Sequence, residues 1–391
     1  MNNFIYQNPV KIIFGIDTIE NIGTEIPKDK KVLVIYGGGS IKKNGVYDQV
    51  AAALKDYEWT EFSGIEPNPH YETCMKAVAL IKEKKSNYLL AVGGGSVIDA
   101  TKFIAAAACY GAGDPWEILL PKGNERKSEN QLKEALPFGV VLTLPATGSE
   151  MNCNAVVTKA ETHEKLAFAS PMVYPQFSIL NPAATYSLPA SQTANGIADA
   201  FVHVMEQYLT YPVNALLQDL MAEAVLKTLL FEGPKALENP HNYEVRAAIM
   251  WACTCALNGW ISVGVPQDWA THMIGHELTA FYGIDHGKTL SVVLPGVMTV
   301  LKDQKAEKIL RLGREVFGIQ ADSTQELIDM TIQATERFFN KLGIKTKLSD
   351  YGLGEEAIDK IVARMKERKW KLGEKGNIDY AVIKEILESR K

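Results

Sequence analysis

The chain has 391 residues, 47% hydrophobic and 22% charged, with a formal net charge of −5. This is the composition of an ordinary soluble globular protein of about two domains, and without a basic excess neither nucleic acid nor an anionic membrane is an expected partner. No run approaches the roughly 20 apolar residues a bilayer requires. The stretch from Met1 to Pro9 has neither the basic nor the apolar segment of a secretory signal, so a cytoplasmic location is expected.

Lys31–Tyr36 reads as a buried strand that ends at Gly37-Gly38-Gly39-Ser40. Helices are predicted near Gly45 to Lys55 and over Tyr71 to Lys85. The strand Tyr88–Val92 then ends at Gly93-Gly94-Gly95-Ser96, a helix runs through Cys109, and Gly139–Leu144 is another strand. Strands without polar alternation, separated by helices, imply a parallel sheet covered on both faces. Residues 121–134 form a polar excursion, expected as a surface loop. After about Pro182 the texture changes, and beyond Ser191 the pattern is long and 3.6-periodic. There Ser323-Thr324-Gln325-Glu326 is a capping box ahead of Leu327, and its helix closes at Gly343. The expected architecture is an α/β dinucleotide-binding domain with a parallel sheet over residues 1–183, followed by an all-α, metal-binding domain over residues 184–391.

Glycines between a strand and a helix let backbone N–H groups approach a pyrophosphate, which the positive end of the helix favours. Neither cluster is G-x-G-x-x-G, so the standard Rossmann fingerprint is absent. No acid follows Tyr36 to accept a ribose 2′-hydroxyl, whereas Ser40, Lys42 and Lys43 suit a 2′-phosphate, so NADP(H) is expected over NAD(H).

Asp199 and His203 lie four residues apart on one helical face, His272 and His276 repeat that spacing, and His286 follows in a predicted loop. Imidazoles with one carboxylate suit Zn²⁺ or Fe²⁺. Glu277 follows His276, so this is not the H-E-x-x-H of a metalloprotease. His70, His163 and His241 sit in polar contexts and are expected at the surface. The cysteines (Cys74, Cys109, Cys153, Cys253, Cys255) have no redox or zinc spacing and read as buried thiols. Trp260 and Trp269 read as core residues, with a substrate-pocket wall as the alternative.

Taken together, these residues resemble the iron-containing (group III) alcohol dehydrogenase family. The resemblance runs essentially end to end, through Asn8–Gly15, both glycine clusters, Glu66–Pro69, Thr143–Glu150, Ala198–His203 and His286-Gly287. It is strongest to the NADPH-dependent aldehyde reductase and butanol dehydrogenase branch. The resemblance implies that Asp199, His203, His272 and His286 bind a divalent metal, Fe²⁺ or Zn²⁺. It places Gly38, Gly39 and Ser40 at the adenosine phosphate end of NADP(H), with Asn68, Gly94, Gly95, Ser96, Thr143, Thr147, Asn152 and Lys165 lining the rest. His276 matches a histidine behind the ligands and is the candidate catalytic residue for proton relay. The implied activity is reversible hydride transfer between NADP(H) and an aldehyde or primary alcohol, in a homodimer or larger assembly. The rivals are a polyol dehydrogenase of the same fold, a multistep elimination on a phosphorylated substrate, and a non-catalytic nucleotide or metal sensor. The elimination is the poorer fit, because residues 199–290 carry few bases beyond Lys227, Lys235, Arg246 and Lys288.

Overall fold

A computed structural model describes residues 1–111, 113–120, 128–129 (backbone only) and 132–391. The polar excursion at 121–134 therefore lies largely outside the described residues. The chain divides into two units. One is Gln7–Leu188 with His241–Met250, and the other is Pro189–Pro240 and Trp251–Lys391 with Met1–Tyr6.

The first unit is an α/β layer structure. Its strands are β1 (Lys11–Phe14), β2 (Lys31–Tyr36), β3 (Glu58–Phe62), β4 (Tyr88–Gly94), β5 (Ser128–Glu129), β6 (Phe138–Leu144), β7 (Asn154–Lys159), β8 (Glu164–Ala169) and β9 (Phe177–Leu180). Six of them form a wholly parallel sheet in the order β1-β9-β6-β4-β2-β3. The expected parallel sheet is thus present. Alternate residues of β2 serve opposite faces, as a pleated strand requires. Leu33 and Ile35 pack with Leu89, Val140, Val97 and Phe103 on one side. Val32, Val34 and Tyr36 pack with Leu90, Val141, Ile19 and Val50 on the other. Gly139 leaves room for the Phe177 ring, which would lie 2.3 Å from a methyl group placed there.

Its helices are α1 (Ile22–Glu25), α2 (Val46–Ala53), α3 (Tyr71–Lys84) and α4 (Gly95–Cys109). Strand β2 lies between β3 and β4, so the winding reverses between β2 and β4, and both glycine clusters sit at the carboxyl ends of those two strands. Such a reversal opens the crevice in which doubly wound sheets bind ligands. A hairpin of β7 and β8 forms a second, small sheet with β5.

The other unit is helical: α5 (Ala190–Tyr208), α6 (Leu216–Glu238), the end of α7 (Tyr243–Ala256), α8 (Ala270–Tyr282), α9 (His286–Val300), α10 (Ala306–Glu315), α11 (Thr324–Lys341), α12 (Glu355–Arg368) and α13 (Tyr380–Glu388). Half of the capping box is made at α11: Ser323 Oγ accepts from Glu326 N at 3.2 Å, while the Glu326 carboxylate takes the N–H of Asp322, one residue before the cap, at 3.0 Å. The helix ends before Gly343, which has φ +79°. Val292, Val293 and Val297 of α9 pack with Ile274, Ile358, Ile361, Ile383 and Ile386 from α8, α12 and α13. No helix among the described residues is long and apolar enough to cross a membrane.

Candidate metal centre and phosphate cradle

Every residue of α5 from Thr193 to Tyr208 is buried. Charged residues are almost never fully buried unless they are paired, so Asp199, His203 and Glu206 inside this helix require partners. Asp199 Oδ1 lies 3.6 Å from His203 Nδ1, 3.5 Å from His272 Nε2 and 3.6 Å from His286 Nε2. Ligand atoms of Asp199, His272 and His286 all fall within 4.8 Å of one another. His203 stands at the edge of that set, its ring stacked on His272 with centroids 4.5 Å apart. His286 is not in a loop as expected: it is the first residue of α9, after α8 closes at Gly283 with φ +66°.

The donors fit a small divalent ion. His203 Nδ1 and His272 Nε2 are buried with no hydrogen-bond partner, and buried polar atoms left so are costly. The three separations from Asp199 Oδ1, 3.5–3.6 Å, match the edge of a tetrahedron whose centre lies about 2.1–2.2 Å from each vertex, the range of Zn–N and Zn–O bonds, while His203 stands outside the mutually close set. A cation there would also offset the desolvation of Asp199, which costs several kcal/mol for a carboxylate.

Burial pushes His203 down to about 4, with Asp199 opposing. Burial also pulls on His272, but the carboxylates of Glu206 and Asp199 outweigh it and hold that ring up at about 9. The charge held on His272 adds to the lowering of His203. Glu206 takes both N–H groups of His272: its Oε1 accepts the backbone N–H at 3.1 Å and its other oxygen meets ring Nδ1. Sequence reading missed Glu206, although Asp199, His203 and Glu206 follow an i, i+4, i+7 spacing.

His276 lies one turn along α8 from His272 and outside the mutually close set, with its ring 5.2 Å from that of His286. Trp269 does not read as core. It is half-buried against the cluster, its ring 5.3 Å from His272 and 6.1 Å from His203. Trp260 is 42% exposed and packs edge-on against Tyr6. Of the remaining histidines, His163 and His241 are exposed and His70 is half-buried.

In the α/β unit the second glycine cluster begins α4. No side chain caps that helix, which leaves its first N–H groups to a ligand. A methyl group on Gly95 would lie 2.5 Å from Thr147 Cγ2, and one on Gly94 would lie 2.9 Å from Leu144. These glycines are needed for close packing whether or not an anion binds. Gly38 and Gly39 differ, because nothing stands within 4 Å of a methyl group on either, and Gly39 has φ +88°. That open cradle before Ser40 is space a phosphate can fill. Asn68, with φ +57°, offers its N–H to Ser96 Oγ at 3.2 Å and its side-chain oxygen to Lys165 Nζ at 2.8 Å. Thr143 sits one residue before the end of β6.

Asn152 is 5% exposed and belongs to an internal network. Its Oδ1 receives Lys102 Nζ at 3.0 Å, and the lysine also donates to Ser149 Oγ and Asn154 O at 2.8 Å each. Ser149 in turn donates to Asp99 at 2.6 Å. Burial pushes Asp99 up from the usual carboxylate range in spite of Lys102. One acid does stand near the first cluster, brought there by β3: Glu61 takes Tyr36 OH at 3.0 Å and Lys42 Nζ at 3.1 Å. Lys42 thereby pairs with the only acid that the strands bring to this turn among the described residues.

A parallel-sheet nucleotide-binding unit joined to a helical unit with a carboxylate–imidazole metal set defines a class of metal-dependent, coenzyme-using enzymes. The comparisons with known proteins identify the family. The family model described as iron-containing alcohol dehydrogenase matches residues 9–182, and that of the family's C-terminal part matches residues 193–390. This chain belongs to the iron-containing alcohol dehydrogenase family. It is 52% identical over 391 residues to the NADPH-dependent aldehyde reductase YqhD of Escherichia coli, covering 100% of both chains. The crystal structure of YqhD superposes with a TM-score of 0.97 at 51% identity, over 100% of this chain and 99% of that one. The NADP-dependent alcohol dehydrogenase 3 of Entamoeba histolytica is 42% identical, over 99% of this chain and 98% of its own. A probable NADH-dependent butanol dehydrogenase of Bacillus subtilis is 44% identical, over 92% of each.

Proposed function

We propose that the protein is an oxidoreductase that moves hydride reversibly between NADP(H) and an aldehyde or primary alcohol, with Asp199, His203, His272 and His286 holding a divalent ion, Fe²⁺ or Zn²⁺. A bound ion supplies Lewis acidity toward a carbonyl or hydroxyl oxygen, and the reduced nicotinamide supplies the hydride. The observation that carries this reading is the convergence of three imidazoles on one buried carboxylate oxygen. A single carboxylate among neutral imidazoles leaves a dication with net positive charge, which favours negative charge developing on a substrate oxygen.

The open turn at Gly38 and Gly39, with Ser40 and Lys43, is assigned to the adenosine phosphate end of the coenzyme. The bare start of α4 at Gly94, Gly95 and Ser96 takes the diphosphate, with Asn68, Thr143, Thr147 and Lys165 around it. Asn152 supports the Thr147 loop from inside through Gly148 O at 2.9 Å. Trp269 offers an apolar face beside the imidazoles for the substrate's carbon chain. His276 is assigned to proton passage, and His276→Ala with an unchanged rate and pH profile would remove it from that role. NADP(H) is favoured over NAD(H) because Lys42 neutralises the acid nearest the first turn.

We further assign the protein to the cytoplasm and to a homodimer. The dimer is supported by the exposed apolar side chains Leu216, Leu217, Leu220 and Phe231 on α6, and light scattering of the purified chain tests it. The central test is consumption of NADPH absorbance with butanal by metal-loaded protein. Loss on chelation and return on reloading is the expected outcome. No turnover with any short aldehyde favours the sensor reading instead.

A further inference from the structure

Most buried acids of the helical unit have a basic residue to answer them. Glu277 is clamped by Arg364 and Arg368, and Glu374 and Asp268 share Lys305. Glu206 differs. It is 3% exposed, and among the described residues no lysine or arginine comes within ion-pair distance of it. Both of its oxygens go to one residue, His272, through the backbone N–H at 3.1 Å and ring Nδ1. His272 is the third residue of α8, where backbone N–H groups lack partners within the helix. Glu206 supplies that partner from a different helix, and it is fixed in turn by Asp268 N, which donates to the Glu206 carbonyl at 2.8 Å.

We propose that Glu206 is a positioning residue for the metal centre: its two-pronged grip on His272 sets the tautomer and the aim of that ring. The inference rests on the metal reading above. On the neutral ring that a metal ligand must be, Nδ1 facing a carboxylate acceptor carries the hydrogen and the lone pair is left on Nε2. That nitrogen is the one 3.5 Å from Asp199 Oδ1 and without a hydrogen-bond partner. Three residues on one face of α5 thus divide the work: Asp199 and His203 face the ion, and one turn further Glu206 aims a ligand that comes from α8.

Glu206→Gln separates this role from simple packing. The glutamine amide has the same shape, but only one of its arms can accept. If its oxygen keeps the backbone N–H, its NH2 donates to Nδ1, which moves the ring hydrogen to Nε2 and removes the lone pair. If the amide is turned over, its NH2 faces the backbone N–H. Neither arrangement serves both contacts.

The experiment titrates metal-free full-length protein with Zn²⁺ against a chromophoric chelator, and with Co²⁺ read by its visible absorption. It compares wild type, Glu206→Gln, His272→Ala and the double variant. The expected result is a loss of Zn²⁺ affinity of about 10- to 100-fold in Glu206→Gln, with an altered Co²⁺ spectrum and a metal-free melt like that of wild type. In the His272→Ala background the same change is expected to do nothing further. Wild-type affinity in Glu206→Gln, or an equal loss with and without His272, overturns the proposal. If Glu206→Gln does not fold, Glu206→Asp carries the same cycle with a smaller loss, again confined to the background that keeps His272. Wild-type protein that takes up neither ion overturns the metal reading, and this inference with it.

Discussion

At Gly287 the backbone of α9 lies directly against that of α5, and the substitution Gly287→Ala tests whether that approach holds the metal set together. A methyl group there would lie 2.4 Å from Asn195 O and 2.8 Å from its Cα. These are backbone atoms, so no side chain can swing away. Ordinary contact begins near 3.4 Å, so α9 must retreat by about 1 Å, the difference between 3.4 and 2.4. His286 is the residue before Gly287, and Asp199 is one turn after Asn195, so the retreat separates two atoms now 3.6 Å apart. Metal–ligand distances tolerate only about 0.2 Å. The expected cost is about 1–3 kcal/mol of stability from overpacking, with metal affinity falling about 10- to 100-fold. Thermal melts and Zn²⁺ titration read the two effects. Gly354→Ala is the control: nothing stands within 4 Å of its methyl group and its φ is −130°. Gly287→Ala protein that melts with wild type and binds Zn²⁺ within about twofold of it would refute the argument.

Asp199→Asn removes the only carboxylate of the proposed set. It should leave purified protein nearly metal-free by elemental analysis, yet no less stable than metal-free wild type, because it also removes a buried charge worth several kcal/mol of desolvation. Gly38→Asp has open space to enter. It should weaken NADPH binding by about 10- to 100-fold, the effect of like charges a few ångströms apart at moderate screening, while leaving NADH binding nearly unchanged in coenzyme fluorescence titrations. Burial raises the Glu336 carboxyl, but the Arg390 guanidinium and the Thr346 hydroxyl outweigh it and hold the group below the ordinary 4.5. A carboxylate depressed on folding stabilises fully above its unfolded pKa and loses that effect as pH falls through the folded value. The stability advantage of wild type over Glu336→Gln, read from denaturant melts, should therefore shrink from neutral pH to about pH 3.

The strands legible in the sequence are those buried on both faces: β2, β4 and β6 read as unbroken apolar runs. Strand β3, Glu58-Trp59-Thr60-Glu61-Phe62, lies at the sheet edge and mixes two glutamates and a threonine with two aromatic residues, with neither an apolar run nor a period of two. β1 and β9 have only four residues each, too few for a pattern to register. The hairpin of β7 and β8 hides behind its own polar ends, Lys159 and Glu164. At the candidate site, Asp199 with His203 and His272 with His276 were legible because two liganding types at helical spacing are uncommon together. Glu206 and Lys102 were not, since a charged residue on a helix reads as solvated unless burial is known. From the sequence His286 reads as a loop residue because Gly283 and Gly287 bracket it. The first is the left-handed close of α8, but the second marks contact with α5 inside a new helix.

The polar groups of α5 also bear on how the protein behaves without its ion. An apolar helix buried on all sides could slip or rotate at modest cost, and its hydrogen bonds are what fix its register. Gln207 donates to Ala256 O of α7 at 2.8 Å. Tyr208 OH reaches Glu223 at 2.9 Å, and Glu206 grips α8. None of these contacts involves a metal. Chelation should then leave a folded protein with its site pre-formed, in contrast to small zinc domains, where binding free energy is folding free energy. Far-ultraviolet circular dichroism before and after chelation should coincide, and stability should rise by about 2.7 kcal/mol when Zn²⁺ is restored at ~100 times its Kd. Loss of helical signal on chelation would mean that the ion, and not this set of hydrogen bonds, holds α5 in place.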